Sequence, residues 1–246
     1  MRLFDRVHLI GSGWLGYSLS DRHDSHVYLI DGGTESALVD AGCGLDAATI
    51  AERIRAANAG PVSRILVTHG HADHSGGAGA LASLLGARVC ASAEVVRMLA
   101  EADEEATGLA QARADGVYPA HLRLRPTLAE EVTGTIVVGD VTVTVLPTPG
   151  HAAGHLCFLA RTPQRPALFT GDLVFARGRT AILDTPDTDV ALIRRSIDDL
   201  ATLVRGEPST ALLPGHGSFA LTGAADHLAV AVECFDRGSH PPPLLP

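Results

Sequence analysis

One short stretch constrains this chain more than any other, because three histidines and an aspartate crowd into six positions directly after an apolar segment. The segment at 64–68, RILVT, is typical of a strand, and His69, His71, Asp73 and His74 follow it. Imidazole nitrogen and carboxylate oxygen are ligands that Zn²⁺ binds, and such groups at this density are costly to bury without a cation. The stretch therefore predicts a metal site at a strand end, in preference to a solvated histidine-rich loop.

Three later segments repeat this context, each with a candidate ligand beside glycine just past a predicted strand. They place His151 after VTVTVLPT, Asp172 after ALF and His216 after TALL. Loops at strand ends are where sites are built on a rigid scaffold. Each residue alone is more typical of a turn or cap, but together with the first stretch they predict one shared metal centre.

The rest of the chain alternates predicted strands and helices in two halves. Short β-branched segments bounded by turn residues predict the strands, which are VHLI, HVYLI, SALVD, RILVT, RVCAS, TIVVGDVTVTVLPTP, HLCFLA, ALFTGD and TALLPGHG. Apolar residues at helical spacing predict the helices, which cover 45–59, 78–85, a stretch from Glu94, 187–203 and 224–235. This order predicts an α/β (or α+β) fold with helices on the outside of its sheets.

Two segments depart from the alternation. Residues from about 103 to 135 are polar with helical stretches, and they predict an insertion over the sheet edge near the site. The tail at 239–246, SHPPPLLP, is rich in proline and predicted to be frayed. With 246 residues and 46% hydrophobic composition, the chain is long enough for one large α/β domain, predicted over 1–246.

The ordered pattern HxHxDH…H…D…H resembles the metallo-β-lactamase superfamily, in particular its dinuclear hydrolases of the glyoxalase II and lactonase kinds. The resemblance runs from the first hairpin to Gly217 and implies a four-layer αββα sandwich, with two sheets packed face to face. It also implies the ligand sets, which are His69, His71 and His151 for one metal, Asp73, His74 and His216 for the other, and Asp172 as a bridge.

The resemblance further implies a zinc-dependent hydrolase. Two Zn²⁺ ions, with iron or manganese as alternatives, would share a hydroxide that attacks a small ester, lactone or thioester. Asp73 would orient this nucleophile as well as bind metal, so Ser75 and Cys157 are interpreted as neighbours and not as nucleophiles. A phosphodiester substrate and iron-dependent redox chemistry on the same fold are the alternatives.

Departures from particular subfamilies narrow the reaction. β-Lactamases of this fold generally lack the bridging aspartate, so Asp172 weighs against β-lactam hydrolysis. Glyoxalase II enzymes carry a helical C-terminal domain, and the 30 residues after His216 (246 − 216) weigh against glutathione thioesters. Persulfide dioxygenases use a single iron, and the presence of Asp73 and His74 argues against them.

Four residues outside the ligand set have two interpretations. Asp40, in ALVDAG, matches a position that supports a ligand in the family, and a strand-end turn is an equal alternative. His155 is predicted to support the site from behind more than to bind metal. Tyr118 and His121, in the insertion, are hypothesised to contact substrate or donate a proton to its leaving group.

The first hairpin carries two further groups. His23, Asp24 and His26 precede a strand and are predicted to form a solvated loop. Trp14 and Tyr17, in the glycine-rich GSGWLGYSL, predict either an apolar flap over the site or ordinary hairpin packing.

Charge and cysteine usage limit partners and compartment. A net charge of −9 repels phosphate backbones and anionic membranes, so a small molecule is the expected partner. MRLFDRVHLI lacks the features of a signal peptide, and no apolar run approaches the roughly 20 residues that span a bilayer. Four scattered cysteines are predicted to be buried free thiols in a reducing cytoplasm. Oligomeric state is left open.

Overall fold

In the computed structural model, which describes residues 1–244, the chain forms two β-sheets with helices on their outer faces. The first sheet follows chain order, with β1 (Arg2–Phe4), β2 (Val7–Gly11), β3 (Val27–Asp31), β4 (Ser36–Val39), β5 (Val62–Leu66), β6 (Arg88–Ala91) and β7 (Ala129–Glu131). Neighbours from β1 to β4 are antiparallel, and those from β4 to β7 are parallel.

The second sheet has the spatial order β12-β11-β10-β9-β8. Its strands are β8 (Thr135–Val138), β9 (Val141–Pro147), β10 (Leu156–Arg161), β11 (Pro166–Gly171) and β12 (Ala211–Pro214). β11 and β12 are parallel, and the other neighbours are antiparallel. Because β11 and β12 run in the same direction, the loops that follow them leave the sheet at the same edge.

The helices are α1 (Ala47–Ala56), α2 (Ala72–Ser75), α3 (Ala78–Leu85), α4 (Ala93–Glu101), α5 (Leu109–Ala114), α6 (Val190–Leu203) and α7 (Ala224–Asp236). Three of them begin at a side-chain cap. Asp46 accepts from the Thr49 N–H, Ser92 accepts from the Val95 N–H, and Asp189 caps α6. Such caps satisfy backbone donors that the first helical turn leaves unpaired.

Three apolar clusters define four layers. Between the sheets, side chains from both pack together, with the rings of Tyr28 and Phe169 5.3 Å apart. Helices α1, α3 and α4 cover the outer face of the first sheet, while α6 and α7 cover the second. The predicted α/β fold, with its αββα layering, is thereby confirmed.

Alternation along single strands explains this packing. In β9, Val141, Val143 and Val145 are buried between the sheets, whereas Thr142 is exposed. Successive side chains of a strand point to opposite faces. β10 is buried on both faces except at its last residue, since helices cover its far side.

The structure differs from the sequence-based expectations at the edges. Residues 103–135 contain α5 and β7, and β7 pairs with β6 at the edge of the first sheet. β1 and β7 are three residues each, too short for a period to be visible.

The prediction of a frayed tail is wrong for residues 242–244, which accept hydrogen bonds from Arg179 and Thr180. The Thr180 N–H donates to the Pro242 carbonyl at 3.2 Å, and the Arg179 guanidinium donates to the Leu244 carbonyl at 2.8 Å. The last two residues of the predicted tail, 245 and 246, lie outside the described residues. Over residues 1–244, no helix combines the length and apolarity needed to cross a membrane.

Candidate metal centre

Four loops bring the seven predicted ligands together at one edge of the sandwich. Each loop follows the carboxyl end of a strand, so that His69, His71, Asp73 and His74 come after β5, His151 after β9, Asp172 after β11 and His216 after β12. The segment after β5 turns directly into α2, which places Asp73 and His74 in its single turn. The convergence arises from strand direction and from the stacking of the two sheets.

Three imidazoles form the first group. The ligand atoms of His69, His71 and His151 all lie within 4.8 Å of one another. His71 Nδ1 is 3.0 Å from His69 Nε2 and 3.2 Å from His151 Nε2. The rings meet nearly perpendicular to one another, at 78° to 86°. Their nitrogens therefore converge on a point, as ligands of one metal do.

Asp73, His74 and His216 form the second group, again within 4.8 Å of one another. His216 Nε2 lies 2.9 Å from an Asp73 carboxylate oxygen. Asp172 lies against this second group, with one oxygen 3.3 Å from His74 Nε2 and the other 3.5 Å from His216 Nε2. Asp172 also forms a ligand group with His69 and His74.

Two buried polar atoms of Asp172 and His74 lack a hydrogen-bond partner in the described chain. His74 Nε2 and one oxygen of Asp172 are without a hydrogen-bond partner among residues 1–244. A buried polar atom left unpaired costs about 1–3 kcal/mol, and a cation between these atoms would satisfy both. A Cβ on Gly215 would come within 2.3 Å of Asp172 Oδ1 and 2.5 Å of His74 Cε1, so only glycine fits beside them. The donors present suit a divalent metal such as zinc.

The carboxylates set the charge of the second group. Burial opposes a charged His74, yet the carboxylates of Asp172, Asp73 and Asp40 raise its pKa well above the usual range. Burial likewise opposes a charged Asp73, but His74 and His216 lower its pKa to about 2. The group is therefore an anionic pocket whose charge is balanced by protons on imidazole or by a bound cation.

The imidazoles of the first group, in contrast, have pKa values below the usual one. Burial, followed by the neighbouring imidazoles, lowers the pKa of His69 well below its usual value. The same causes lower the pKa of His71 to about 4. Both rings are therefore neutral near pH 7, which is the protonation state that binds metal.

Hydrogen bonds from behind fix two of the imidazoles. His74 Nδ1 donates to Asp40 at 2.7 Å, and the other Asp40 oxygen accepts from the Thr68 N–H at 2.8 Å. His151 Nδ1 donates to the Ala181 carbonyl at 2.9 Å. A proton held on Nδ1 leaves the Nε2 lone pair facing the centre. Asp40 therefore lies where a support for His74 must lie.

Two of the other predicted residues also lie beside the centre. The ring of buried His155 is 5.1 Å from that of His69, and its Nδ1 is 3.0 Å from the Thr148 hydroxyl. Tyr118 packs against a cluster that includes Ala72, the residue before Asp73, and burial, followed by the Asp73 carboxylate, raises the pKa of its phenol well above the usual range.

His121 is not brought to the centre. It is exposed on a groove of about 1060 Å³ between α3 and residues 121–130, and none of the seven predicted ligands lines that groove. Tyr118 and His121, three positions apart, thus face different surfaces.

The prediction of a solvated loop at His23, Asp24 and His26 is wrong for two of its three residues. Asp24 is 2% exposed and His26 1%. The backbone N–H of Ser25, between these two residues, donates to the Asp73 carbonyl at 3.1 Å, so this segment lies against the metal centre. Polar residues before a strand are typical of a loop, and no local signal shows that another loop covers them.

The hairpin loop lies beside the same part of the centre. The Leu15 carbonyl accepts from the Gly217 N–H at 2.7 Å, and the Tyr17 ring packs 5.1 Å from Phe219. Trp14 is 57% exposed. Tyr17 therefore packs against the loop after β12, outside the hairpin, and an apolar flap formed with Trp14 stays a prediction.

All four cysteines are free thiols, three of them buried and Cys234 partly exposed. Burial raises the pKa of Cys157 to about 12, and the Ser75 hydroxyl donates to the Gly70 carbonyl at 2.8 Å. Neither group has the activation that a nucleophile needs.

The αββα fold and its convergent histidines and aspartates define a sandwich protein with a candidate metal centre at one edge. The family model described as the metallo-beta-lactamase superfamily matches residues 20–216, and the chain belongs to this superfamily.

Curated relatives are of two kinds. A protein of Pseudomonas putida named hydroxyacylglutathione hydrolase is 38% identical over 158 residues, covering 63% of this chain and 49% of that protein. A protein of the same name from Cupriavidus taiwanensis is 34% identical over 183 residues, covering 73% and 59%. The chain spans about half the length of these relatives. An uncharacterised protein of Mycobacterium tuberculosis is 32% identical over 200 residues, covering 78% and 84%.

Solved structures share the fold at low identity. A metallo-β-lactamase of Cronobacter sakazakii with a HARLDQ motif has a TM-score of 0.71 at 20% identity, covering 97% of this chain and 96% of its own. The B3 metallo-β-lactamase BLEG-1 has a TM-score of 0.66 at 23% identity, covering 85% and 93%. These likenesses support the fold alone.

Proposed function

We propose that this chain is a dinuclear metal-dependent hydrolase that cleaves a small ester, lactone or thioester, with zinc as the expected metal. The ligand sets are those that the sequence predicts, which are His69, His71 and His151 for one metal, Asp73, His74 and His216 for the other, and Asp172 between them. The position of Asp172 carries the proposal, because a carboxylate oxygen of Asp172 lies within 4.8 Å of ligand atoms of His69, in the first set, and of His74, in the second. Its two oxygens lie 3.3 Å from His74 and 3.5 Å from His216. One of those oxygens is buried and unpaired within residues 1–244, as a bridging ligand is before metal binds.

When bound, two such metals supply a hydroxide nucleophile near pH 7 and polarise the bond under attack. The chain's own residues have complementary tasks. Asp73 is charged at neutral pH, since its pKa is about 2, and can orient the attacking water by accepting a hydrogen bond from it. Tyr118 keeps its proton at neutral pH and can donate a hydrogen bond from Oη to the departing atom.

The opening of the site suits a small reacting group. The His69 and His151 side chains are buried, whereas the Asp73 side chain is 20% exposed. The substrate carbonyl would therefore enter on the side of Asp73 and Tyr118, and the buried imidazoles would keep bulk water from the opposite side.

Thioesters come first among the substrates to test. The Pseudomonas and Cupriavidus relatives carry the name hydroxyacylglutathione hydrolase, and a hydroxyacylglutathione is a thioester. Lactones and simple esters present the same carbonyl and are cleaved by the same attack.

The test combines metal content with a substrate panel. Protein purified without chelator is analysed for metals and assayed on S-acylglutathione, a γ-lactone, a p-nitrophenyl ester and bis-p-nitrophenyl phosphate. We expect two equivalents of metal, mainly zinc, and hydrolysis of at least one carbonyl substrate.

Two aspartate variants complete the test. Asp172→Asn should abolish turnover, while Asp198→Asn, on the surface of α6, should not. A single metal, cleavage of the phosphodiester alone, or oxygen consumption by an iron-loaded protein would overturn the proposal and favour one of the alternative reactions.

A further inference from the structure

The loop that carries His216 is attached to the start of β3 by three hydrogen bonds. The His26 N–H donates to the Gly215 carbonyl at 2.7 Å, and its imidazole Nε2 donates to the Gly217 carbonyl at 2.9 Å. The Tyr28 hydroxyl donates to the Pro214 carbonyl at 2.7 Å. His26 thus bonds the residue before His216 and the residue after it.

The imidazole of His26 is neutral and asymmetric. It is 1% exposed, and burial lowers its pKa to about 3. Because a carbonyl only accepts, Nε2 carries the single ring proton. Nδ1 is then a buried acceptor that finds no donor in the described chain. An unpaired buried acceptor lowers stability, so simple packing does not account for a histidine here.

His216 differs from the other imidazoles in how it is held. His74 and His151 are each oriented through their second ring nitrogen, by Asp40 and by the Ala181 carbonyl. For His216 Nδ1, residues 1–244 offer no such bond, so that apart from the Asp73 carboxylate at its Nε2 the ring is oriented through its backbone. Two of the hydrogen bonds that hold this backbone are donated by His26, alongside bonds that involve Leu15, Gly171 and Tyr28.

Gly16 packs directly against the same imidazole. A Cβ at this position would lie 2.2 Å from His26 Cε1 and 2.4 Å from the Ser12 hydroxyl oxygen. A methyl group there would displace the ring without removing any hydrogen-bonding group. Gly16 therefore offers an independent way to disturb His26.

We propose that His26 is a positioning residue for His216 and, through it, for the metal held by Asp73, His74 and His216. This inference rests on the proposed metal centre, although its effect on the 214–217 loop exists without metal. His26 contacts no substrate in this proposal; it sets the direction of one ligand.

The first experiment titrates the two metals against a competing chelator. His26→Ala should weaken one equivalent roughly tenfold or more, the range for residues that support a metal ligand, and leave the other unchanged. His216→Ala should lose the same equivalent, and the double variant should lose nothing further. His26→Gln, whose side-chain amide can present an N–H at the place of Nε2, should recover part of the affinity.

Gly16 and Leu29 supply the controls. Gly16→Ala should weaken the same equivalent in the wild-type background and weaken it much less beside His26→Ala, where only the contact of the methyl group with the Ser12 hydroxyl remains. Leu29→Ala removes a fully buried side chain of the same strand. It should lower the melting temperature without weakening the binding of one metal equivalent more than that of the other.

Hydrogen exchange in the metal-free protein separates this inference from the proposed function. Exchange of the amides of residues 215–217 should be faster in His26→Ala than in the wild type, and not selectively faster in Leu29→Ala. Unchanged exchange in this loop, or equal weakening of both metals, would overturn the role of His26. Faster exchange and selective metal loss in a protein that hydrolyses nothing would leave that role intact and overturn only the proposed function.

Discussion

Single residues in the centre are held in place by partners far away in the sequence. Asp40 is the clearest case, since it lies at φ +62° and binds both His74 Nδ1 and the Thr68 N–H. A non-glycine residue in this backbone region is uncommon, and here it turns the carboxylate toward two partners at once. The orientation of His74 therefore depends on the backbone conformation of a residue 34 positions away.

Replacing Asp40 should weaken metal binding without removing a ligand. Asp40→Ala is expected to lower affinity for one equivalent by roughly 10- to 100-fold, measured by chelator competition. Asp40→Asn should also be impaired, since an amide N–H facing His74 Nδ1 favours the wrong tautomer. Asp198→Ala is the control, and equal affinity in Asp40→Ala and wild type would contradict the prediction.

Tyr118 and His121 provide a matched pair within one segment. Tyr118→Phe should lower kcat by roughly 100-fold on esters with basic leaving groups, the lower end of the contribution expected of an acid, and by less on thioesters. The reason is that a thiolate leaves without a proton. His121→Ala, on the exposed groove, should be unchanged in the same steady-state assay. Equal kcat in Tyr118→Phe and wild type would remove Tyr118 from the mechanism.

At the scale of elements, α6 supports the loop that carries His151. The Asp189 side chain caps the helix by accepting from the Ala191 and Leu192 N–H groups. The Asp189 N–H donates to the Gly150 carbonyl at 2.8 Å. Gly150 has φ +133°, and a Cβ there would lie 2.3 Å from the Ile193 backbone nitrogen. Helix start and ligand loop therefore form one packed unit.

Removal of this cap should destabilise the protein measurably. Asp189→Ala is expected to lower the free energy of unfolding by about 1 kcal/mol, determined by urea denaturation. Asp198→Ala, an exposed position of the same helix, should change it by less than about 0.5 kcal/mol. A similar small change in both variants would show that the cap contributes nothing.

At the scale of the whole molecule, metal and protons compete for the same buried groups. In the metal-free protein, the carboxylates around His74 and His216 raise the pKa of both rings above their usual value. A raised pKa stabilises the folded state fully below the unfolded value, about 6.5. That stabilisation is lost as pH rises through the folded value. Metal must displace these protons, so its affinity increases with pH.

The stabilisation by metal should therefore grow with pH. At a fixed free zinc concentration, the difference in melting temperature between zinc-loaded and chelator-treated protein should widen from about pH 6 upward, because binding to the folded state alone stabilises it. Differential scanning calorimetry at several pH values measures this directly. A constant difference would show that neither imidazole exchanges its proton for metal.

Much of this protein follows from its sequence. Strand and helix positions depend on near neighbours, and the β9 alternation of Val143 and Thr142 is visible directly in the residues. The order of histidines and aspartates indicated the superfamily, and the family match confirms it. The seven candidate ligand positions are also visible in the sequence, since four fall in one stretch directly after a strand and His151, Asp172 and His216 each stand beside glycine just past a strand.

Only the tertiary structure decided which side chains meet. His26 and Gly217 are 191 positions apart, and no local pattern couples them. The same reason explains the burial of Asp24, the support of His74 by Asp40, and the different surroundings of Tyr118 and His121. Periodicity reports which face of an element is apolar, whereas the stacking of two sheets determines which loops from distant parts of the chain share one volume.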